Sequence, residues 1–253
     1  MLHEDRRRAE SFGADAESYH AARPSYPAGL IDALLVDRPV DRVLDVGCGT
    51  GIASAPFLAH GAEVTGVEPD ARMAAVAAAH GVRTEVAHFE AWEPAGRTFD
   101  LVVCAQAWHW LDPDAAARRA AGVLRPGGRL GVFWNFGRPS RTVREAFAAA
   151  YADEPDLERH SVLMGYDDDR LDVTARAIDA AGAYEPVERR VWRWTRRYAG
   201  EEWLRHLFTH SDHAVLPPDR RAALESRVSR VVDDLGGAVD MDYDAWLLTA
   251  RRR

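Results

Sequence analysis

The sequence predicts an α/β protein built on a doubly wound, Rossmann-like, mostly parallel sheet. Three observations carry this. Short Val- and Leu-rich runs alternate with helical stretches from residue 42 to residue 134. A glycine loop, Gly47-Cys48-Gly49-Thr50-Gly51, joins the first run to a helical stretch. Two late runs, Val187–Tyr198 and Val239–Ala250, alternate like strands and can pair as an antiparallel edge.

Taken in order, residues 1–24 are polar and read as partly irregular, with breaks at Arg23-Pro24 and Tyr26-Pro27. Residues 28–37 have helical apolar spacing. Arg42–Val46 is the first strand, and a helix follows the glycine loop to about His60. Glu63–Glu68 is the second strand, and Pro69-Asp70 opens an alanine-rich helix to about His80. Val82–Ala87 and Phe99–Ala105 are the third and fourth strands. A helix over Pro113–Leu124 meets the turn Pro126-Gly127-Gly128, and Arg129–Trp134 is the fifth strand. Residues 141–151, 171–181, 200–210 and 218–235 read as helices, and an acidic stretch with Pro155 and Asp167-Asp168-Asp169 separates the first two. This divides a single domain into an N-terminal lid segment (1–39), a core (40–137), a helical cap with one core strand (138–235) and a last strand (236–253).

Composition narrows the function classes. The chain has 253 residues, 47% of them hydrophobic, enough for a substantial core. Its net charge of −8 speaks against nucleic-acid binding through bulk electrostatics. Cys48 and Cys104 have neither metal-ligand nor disulfide-framework spacing, so a reducing, cytoplasmic setting is expected. The first residues lack an apolar signal region and no run nears a membrane span. Lysine is absent and asparagine occurs once, at Asn135, a usage that suits a GC-rich genome. The arginine runs at 6–8, 189–190 and 251–253 therefore read as solvated faces rather than anion sites.

The segment Val43–Gly51, VLDVGCGTG, is the most informative. Its glycines let the backbone approach a ligand, and Asp45 stands at the strand end. Glu68, at the end of the second strand, can accept hydrogen bonds from a ribose diol. A nicotinamide cofactor wants glycine or alanine at the sixth position counted from Gly47, where this chain has Ile52. A carboxylate at Asp45 disfavours a pyrophosphate and suits the amino group and sulfonium of S-adenosyl-L-methionine. A nicotinamide oxidoreductase and a cofactor-binding regulator without methyl transfer are the rival readings.

These residues resemble those of class I S-adenosylmethionine-dependent methyltransferases over about residues 40–137. VLDVGCGTG resembles the first motif, Gly66–Asp70 the acidic loop after strand two, FDLVVCAQAWHW the fourth strand with its loop, and LRPGGRL the turn into strand five. FGADAESYHAARPSYP is similar to the start of a small-molecule subgroup that includes trans-aconitate methyltransferase-like proteins. The resemblance implies a seven-stranded sheet with an antiparallel last strand. It implies a cofactor site of Asp45, Gly47, Gly49, Gly51, Glu68, Phe89 and Gln106. Many relatives carry an aspartate where this chain has His88. Tyr19 and Arg23 are expected to close over the cofactor, with Arg23 pairing its carboxylate or an acidic substrate.

Trp108-His109-Trp110 follows the fourth strand, where ligands sit in open α/β sheets. The tryptophans can wall an acceptor slot or pack under the next helix. His109, with an ordinary pKa of about 6.5, can act as base or orient the acceptor. His206, His210 and His213 are spaced to share one helix face as substrate lining, plain cap surface or, least favoured, a metal site. No metal is expected. The expected activity is methyl transfer to a small organic acceptor, with oxygen ahead of nitrogen or carbon and no nucleic-acid or membrane partner.

Overall fold

The computed structural model describes residues 12–154, 157 and 169–253. Arg6–Arg8, Pro155, Asp167 and Asp168, named above, lie outside these residues.

Seven strands form one sheet: β1 (Arg42–Val46), β2 (Glu63–Glu68), β3 (Arg83–Val86), β4 (Phe99–Ala105), β5 (Leu124–Pro139), β6 (Glu188–Ala199) and β7 (Ala238–Arg251). Their order is β3-β2-β1-β4-β5-β7-β6. The first five run parallel, and β7 lies antiparallel between β5 and β6. The expected antiparallel edge is therefore present.

Each parallel strand needs a return crossover; helices on the two faces supply it after β1, β2 and β4, while the loop 87–98 carries the chain from β3 to β4. The described helices are α1 (Ala16–Ala22), α2 (Ala28–Leu35), α3 (Ser54–Ala59), α4 (Ala71–Ala79), α5 (Pro113–Val123), α6 (Arg141–Tyr151), α7 (Arg170–Ala180), α8 (Gly200–Phe208), α9 (Ser211–Ala214) and α10 (Pro218–Asp234). Side chains alternate across the pleat. Leu44, Val102, Leu130 and Val132 point to the face covered by α5 and α7, while Val43, Leu101, Val103 and Phe133 point to the face covered by α2 and α3. A separate apolar cluster, with Phe147, Trp203, Leu224 and Val228, joins α6, α8 and α10 to the far ends of β6 and β7.

Three expectations need correction. Residues 12–22 are not irregular: a 3-10 turn over Phe12–Asp15 leads into α1, whose N-cap Asp15 accepts from Ser18 N–H at 3.2 Å. The helix survives because it packs on α4 and α8. The fifth strand is longer than Arg129–Trp134. Leu124 already pairs with Phe99, and Asn135–Pro139 continue against Ala245–Met241 of β7, so Arg138 belongs to the sheet rather than to the cap. His206, His210 and His213 do not share a helix. The chain turns at Thr209, whose hydroxyl donates to His206 O at 2.7 Å, and His210 caps α9 instead.

Candidate active site at the carboxyl edge of the sheet

The crossovers leave β1 in opposite directions towards β2 and β4, so a crevice opens at the carboxyl ends of β1 and β4. The glycine loop rises on one side and residues 106–110 on the other. They approach so closely that a Cβ on Gly47 would lie 2.6 Å from Ala107 Cβ. Gly47 also has φ +65° and Gly49 φ +54°, values that glycine tolerates best. A Cβ on Gly49 would meet only Met73 Cε, at 3.5 Å, so the loop backbone is open on its ligand side.

Two carboxylates frame this loop. Asp45 is fully buried; Ser54 donates to its Oδ2 at 2.6 Å, while Oδ1 has no partner. Burial, against the Ser54 hydrogen bond and with help from Glu68, pushes its pKa up to about 7. A buried, orphaned carboxylate oxygen calls for a cationic donor. Glu68 is 8% exposed and accepts from the backbone N–H of Gly49 and of Asp70, each at 3.0 Å. Burial raises its pKa and those two amides oppose the rise. They aim the carboxylate at the end of β2, where a diol would receive it.

Across the crevice, Gln106 has φ +57°, a strained value for a residue with a side chain. It is held there by its N–H to Phe133 O at 2.9 Å and its side-chain amide to Asn135 O at 3.0 Å. Phe89 is buried, and Arg119 takes its carbonyl at 2.6 Å, so its N–H is the backbone group it can offer an adenine. His88 is exposed. Asp45, Gly47, Gly49, Glu68 and Gln106 thus converge, while Gly51 packs against Val82 and Ala77, and the set fits S-adenosylmethionine: an acid for the diol, an orphaned acid for the cationic amino-acid end, and a side-chain-free backbone at Gly47 and Gly49 between them.

Trp108 corrects an expectation. It is 1% exposed, within the core beneath α5, and does not wall a slot. The 3-10 turn over Trp108–Trp110 directs its side chain into the core. Trp110 remains half-buried beside His109, ring centroids 4.9 Å apart. Trp134 Nε1 donates to His109 Nδ1 at 3.3 Å. An indole nitrogen only donates, so the neutral His109 ring carries its hydrogen on Nε2.

Tyr19 and Arg23 lie at the rim. The Arg23 guanidinium sits 4.8 Å from the Tyr19 ring centre, and its Nε and one NH2 donate to Thr209 Oγ1 and O at 3.1 and 3.0 Å. Arg23 is therefore turned to the cap. Several site residues were missed in the sequence. Tyr26 packs edge-on against Phe133 at 4.7 Å, and burial, then Tyr19 and Asp45, pushes its hydroxyl pKa well up. Asn135 ties three elements together: it takes Gln106 on its carbonyl, Trp194 Nε1 on Oδ1 at 3.3 Å, and donates to Ser25 O at 3.0 Å. Being the sole asparagine of the chain was a usable signal. Among the described residues no His, Cys, Asp and Glu cluster is arranged to hold a metal ion.

Comparison with known proteins agrees with this geometry. Residues 43–128 match the family model described as a methyltransferase domain. An uncharacterized methyltransferase of Mycobacterium tuberculosis strain H37Rv is 42% identical over 127 residues, 49% of this chain and 52% of the relative. A ubiquinone biosynthesis O-methyltransferase of Rhizobium leguminosarum is 34% identical over 152 residues, 57% of this chain and 52% of the relative. The chain thus spans about half the length of the curated relatives it matches. Among solved structures, one from Anaeromyxobacter dehalogenans, provisionally assigned as a type II methyltransferase, aligns with TM-score 0.65 at 24% identity, over 90% of this chain and 97% of that one. Phosphoethanolamine N-methyltransferase 2 of Haemonchus contortus, solved with S-adenosyl-L-methionine, aligns with TM-score 0.54 at 15% identity, over 95% of this chain and 57% of that one. Residues 43–128 thus match a methyltransferase domain, and the fold of the chain is shared with solved methyltransferases.

Proposed function

We propose that this chain transfers a methyl group from S-adenosylmethionine to a small organic acceptor, with an oxygen atom favoured. The observation that carries the reading is the glycine loop flanked by the orphaned Asp45 Oδ1 and the amide-held Glu68. The cofactor supplies an electrophilic sulfonium methyl group. Glu68 receives the ribose diol, Asp45 the amino group, the Gly47–Gly51 loop the chain between them, and the Phe89 N–H the adenine edge. Tyr19 closes the rim from α1, while Arg23, just past that helix, is held by Thr209 of the cap. Gln106 marks where the methyl end meets the acceptor, and Trp110 lines that side. His109, held through Nδ1 by Trp134, stands on the same side and orients the acceptor. The 34% identity to the ubiquinone biosynthesis O-methyltransferase supports an oxygen acceptor. Free, buried Cys48 and Cys104 suit a reducing cytoplasm, and no described helix is long and apolar enough to cross a membrane. The subgroup similar to trans-aconitate methyltransferases remains part of this proposal.

The test is to incubate the protein with methyl-labelled S-adenosylmethionine and a cell extract split by size. Label entering the fraction below about 1 kDa is the expected result. Label confined to protein or nucleic acid contradicts a small acceptor, and no transfer despite cofactor binding favours a regulatory binder.

A further inference from the structure

The cap holds a polar cluster that the reading above does not use. His206 on α8 is 1% exposed. Its Nε2 lies 3.5 Å from His210 Nε2 and 3.4 Å from the Tyr243 hydroxyl, which is 2.7 Å from the Tyr198 hydroxyl. His213 is engaged elsewhere, since its Nδ1 pairs with Asp212 at 2.8 Å and its Nε2 with the Tyr151 hydroxyl at 2.7 Å, so both nitrogens are used. His210 is half-buried and so keeps accessible surface.

Arg23 completes the cluster. Its contacts are the neutral Thr209 oxygens and the Tyr19 ring, and among the described residues no carboxylate pairs with it. Burial first, then the Arg23 charge, holds His206 and His210 well below the ordinary histidine range. The other groups facing them are His213 from α9, Arg196 of β6, which is paired with Glu202, and the neutral Tyr198 and Tyr243. A half-buried guanidinium whose partners among the described residues are neutral, beside two imidazoles, favours a negative charge at this place.

We propose that Arg23, His206 and His210 form an oxyanion site that seats a carboxylate or phosphate group of the methyl acceptor. This rests on the methyltransferase reading. An anion placed there favours the imidazolium form, so its binding takes up a proton and strengthens as the pH falls from 8 towards 6.

The experiment is calorimetry on the ligand-free protein and on protein saturated with S-adenosylhomocysteine. Acetate, methyl phosphate and neutral acetamide are titrated at pH 7 in two buffers of different ionisation heat. One anion binds with uptake of up to about one proton, acetate or methyl phosphate naming the class, and acetamide does not bind. His210→Gln and His206→Gln weaken that anion at least about tenfold and abolish the uptake. S-adenosylhomocysteine affinity changes less than about threefold. Circular dichroism checks folding, and the less buried His210 variant decides if the other fails to fold. Equal binding of acetamide, no anion binding, or unchanged affinity in the folded variant overturns the site. Loss of S-adenosylhomocysteine affinity equal to the anion loss assigns the anion to the cofactor and overturns the acceptor assignment. Failure of S-adenosylhomocysteine to bind the wild type contradicts the methyltransferase reading, while the ligand-free titration still judges the anion site.

Discussion

Single side chains at the crevice make separable contributions. Glu68 is oriented by two amides, so Glu68→Ala should weaken S-adenosylhomocysteine binding by roughly 1–3 kcal/mol in a folded protein; an unchanged dissociation constant would place the diol elsewhere. Asp45 has a pKa of about 7 against an ordinary 3.8. A carboxyl group with a raised folded-state pKa supports the fold fully below pH 4, and that support is lost as pH rises towards 7. At about 1.4 kcal/mol per unit, the loss is on the order of 4 kcal/mol. Melting temperatures of wild type and Asp45→Asn should therefore diverge in favour of the variant between pH 4 and 7 and stay parallel above; parallel curves throughout would show that Asp45 is not so perturbed. His109 carries its hydrogen on Nε2 because Trp134 occupies Nδ1. His109→Ala should lower turnover or raise KM about tenfold while the pH profile keeps its shape. Loss of the acid limb would restore the general-base role. Asp45 and Glu68 were legible because a strand end plus a glycine loop fixes their surroundings. The Trp134 contact was not, since it joins residues 25 apart through the sheet.

Elements differ in how much of their form is local. β1, β2, β4 and α6 match the sequence reading to the residue: β1 stops at Gly47, β2 at Pro69, Ser140 caps α6, and β4 is an apolar run apart from Asp100. β5 was read short, because Asn135–Pro139 are extended by pairing with β7, about a hundred residues away. The cap histidines were expected on one helix, and the break at Thr209 sets His206 and His210 apart from His213 instead. α1 is held by tertiary contacts that spacing cannot reveal. His20 stacks on His80 with centroids 4.1 Å apart, and His20 Nδ1 contacts Thr50 O at 3.1 Å, so the helix is latched onto the glycine loop. Burial first and His80 second lower the His20 pKa, against Thr50 and Glu17. A lowered histidine pKa supports the closed arrangement above about pH 6.5, and the support is lost as pH falls. Amide exchange in residues 16–22, corrected for intrinsic rates, should quicken between pH 7 and 5.5, and His80→Ala should flatten that change. Exchange independent of pH in the wild type would remove the latch.

At the scale of the whole molecule, the strand order places the crevice, and the crevice separates a general half from a particular one. The core half was legible because the cofactor constrains Asp45, the glycines and Glu68 in chain order. The proposed acceptor half was not, because Tyr26, Asn135, Trp194, Tyr243 and His210 come together from the N-terminal segment, the sheet extensions and the helices after β5. The central claim is that this crevice belongs to S-adenosylmethionine. The most direct measurement is calorimetric titration of the wild-type protein with S-adenosylhomocysteine and, separately, with NAD. The account predicts one S-adenosylhomocysteine per chain and no measurable heat from NAD; NAD binding more tightly than S-adenosylhomocysteine would contradict it.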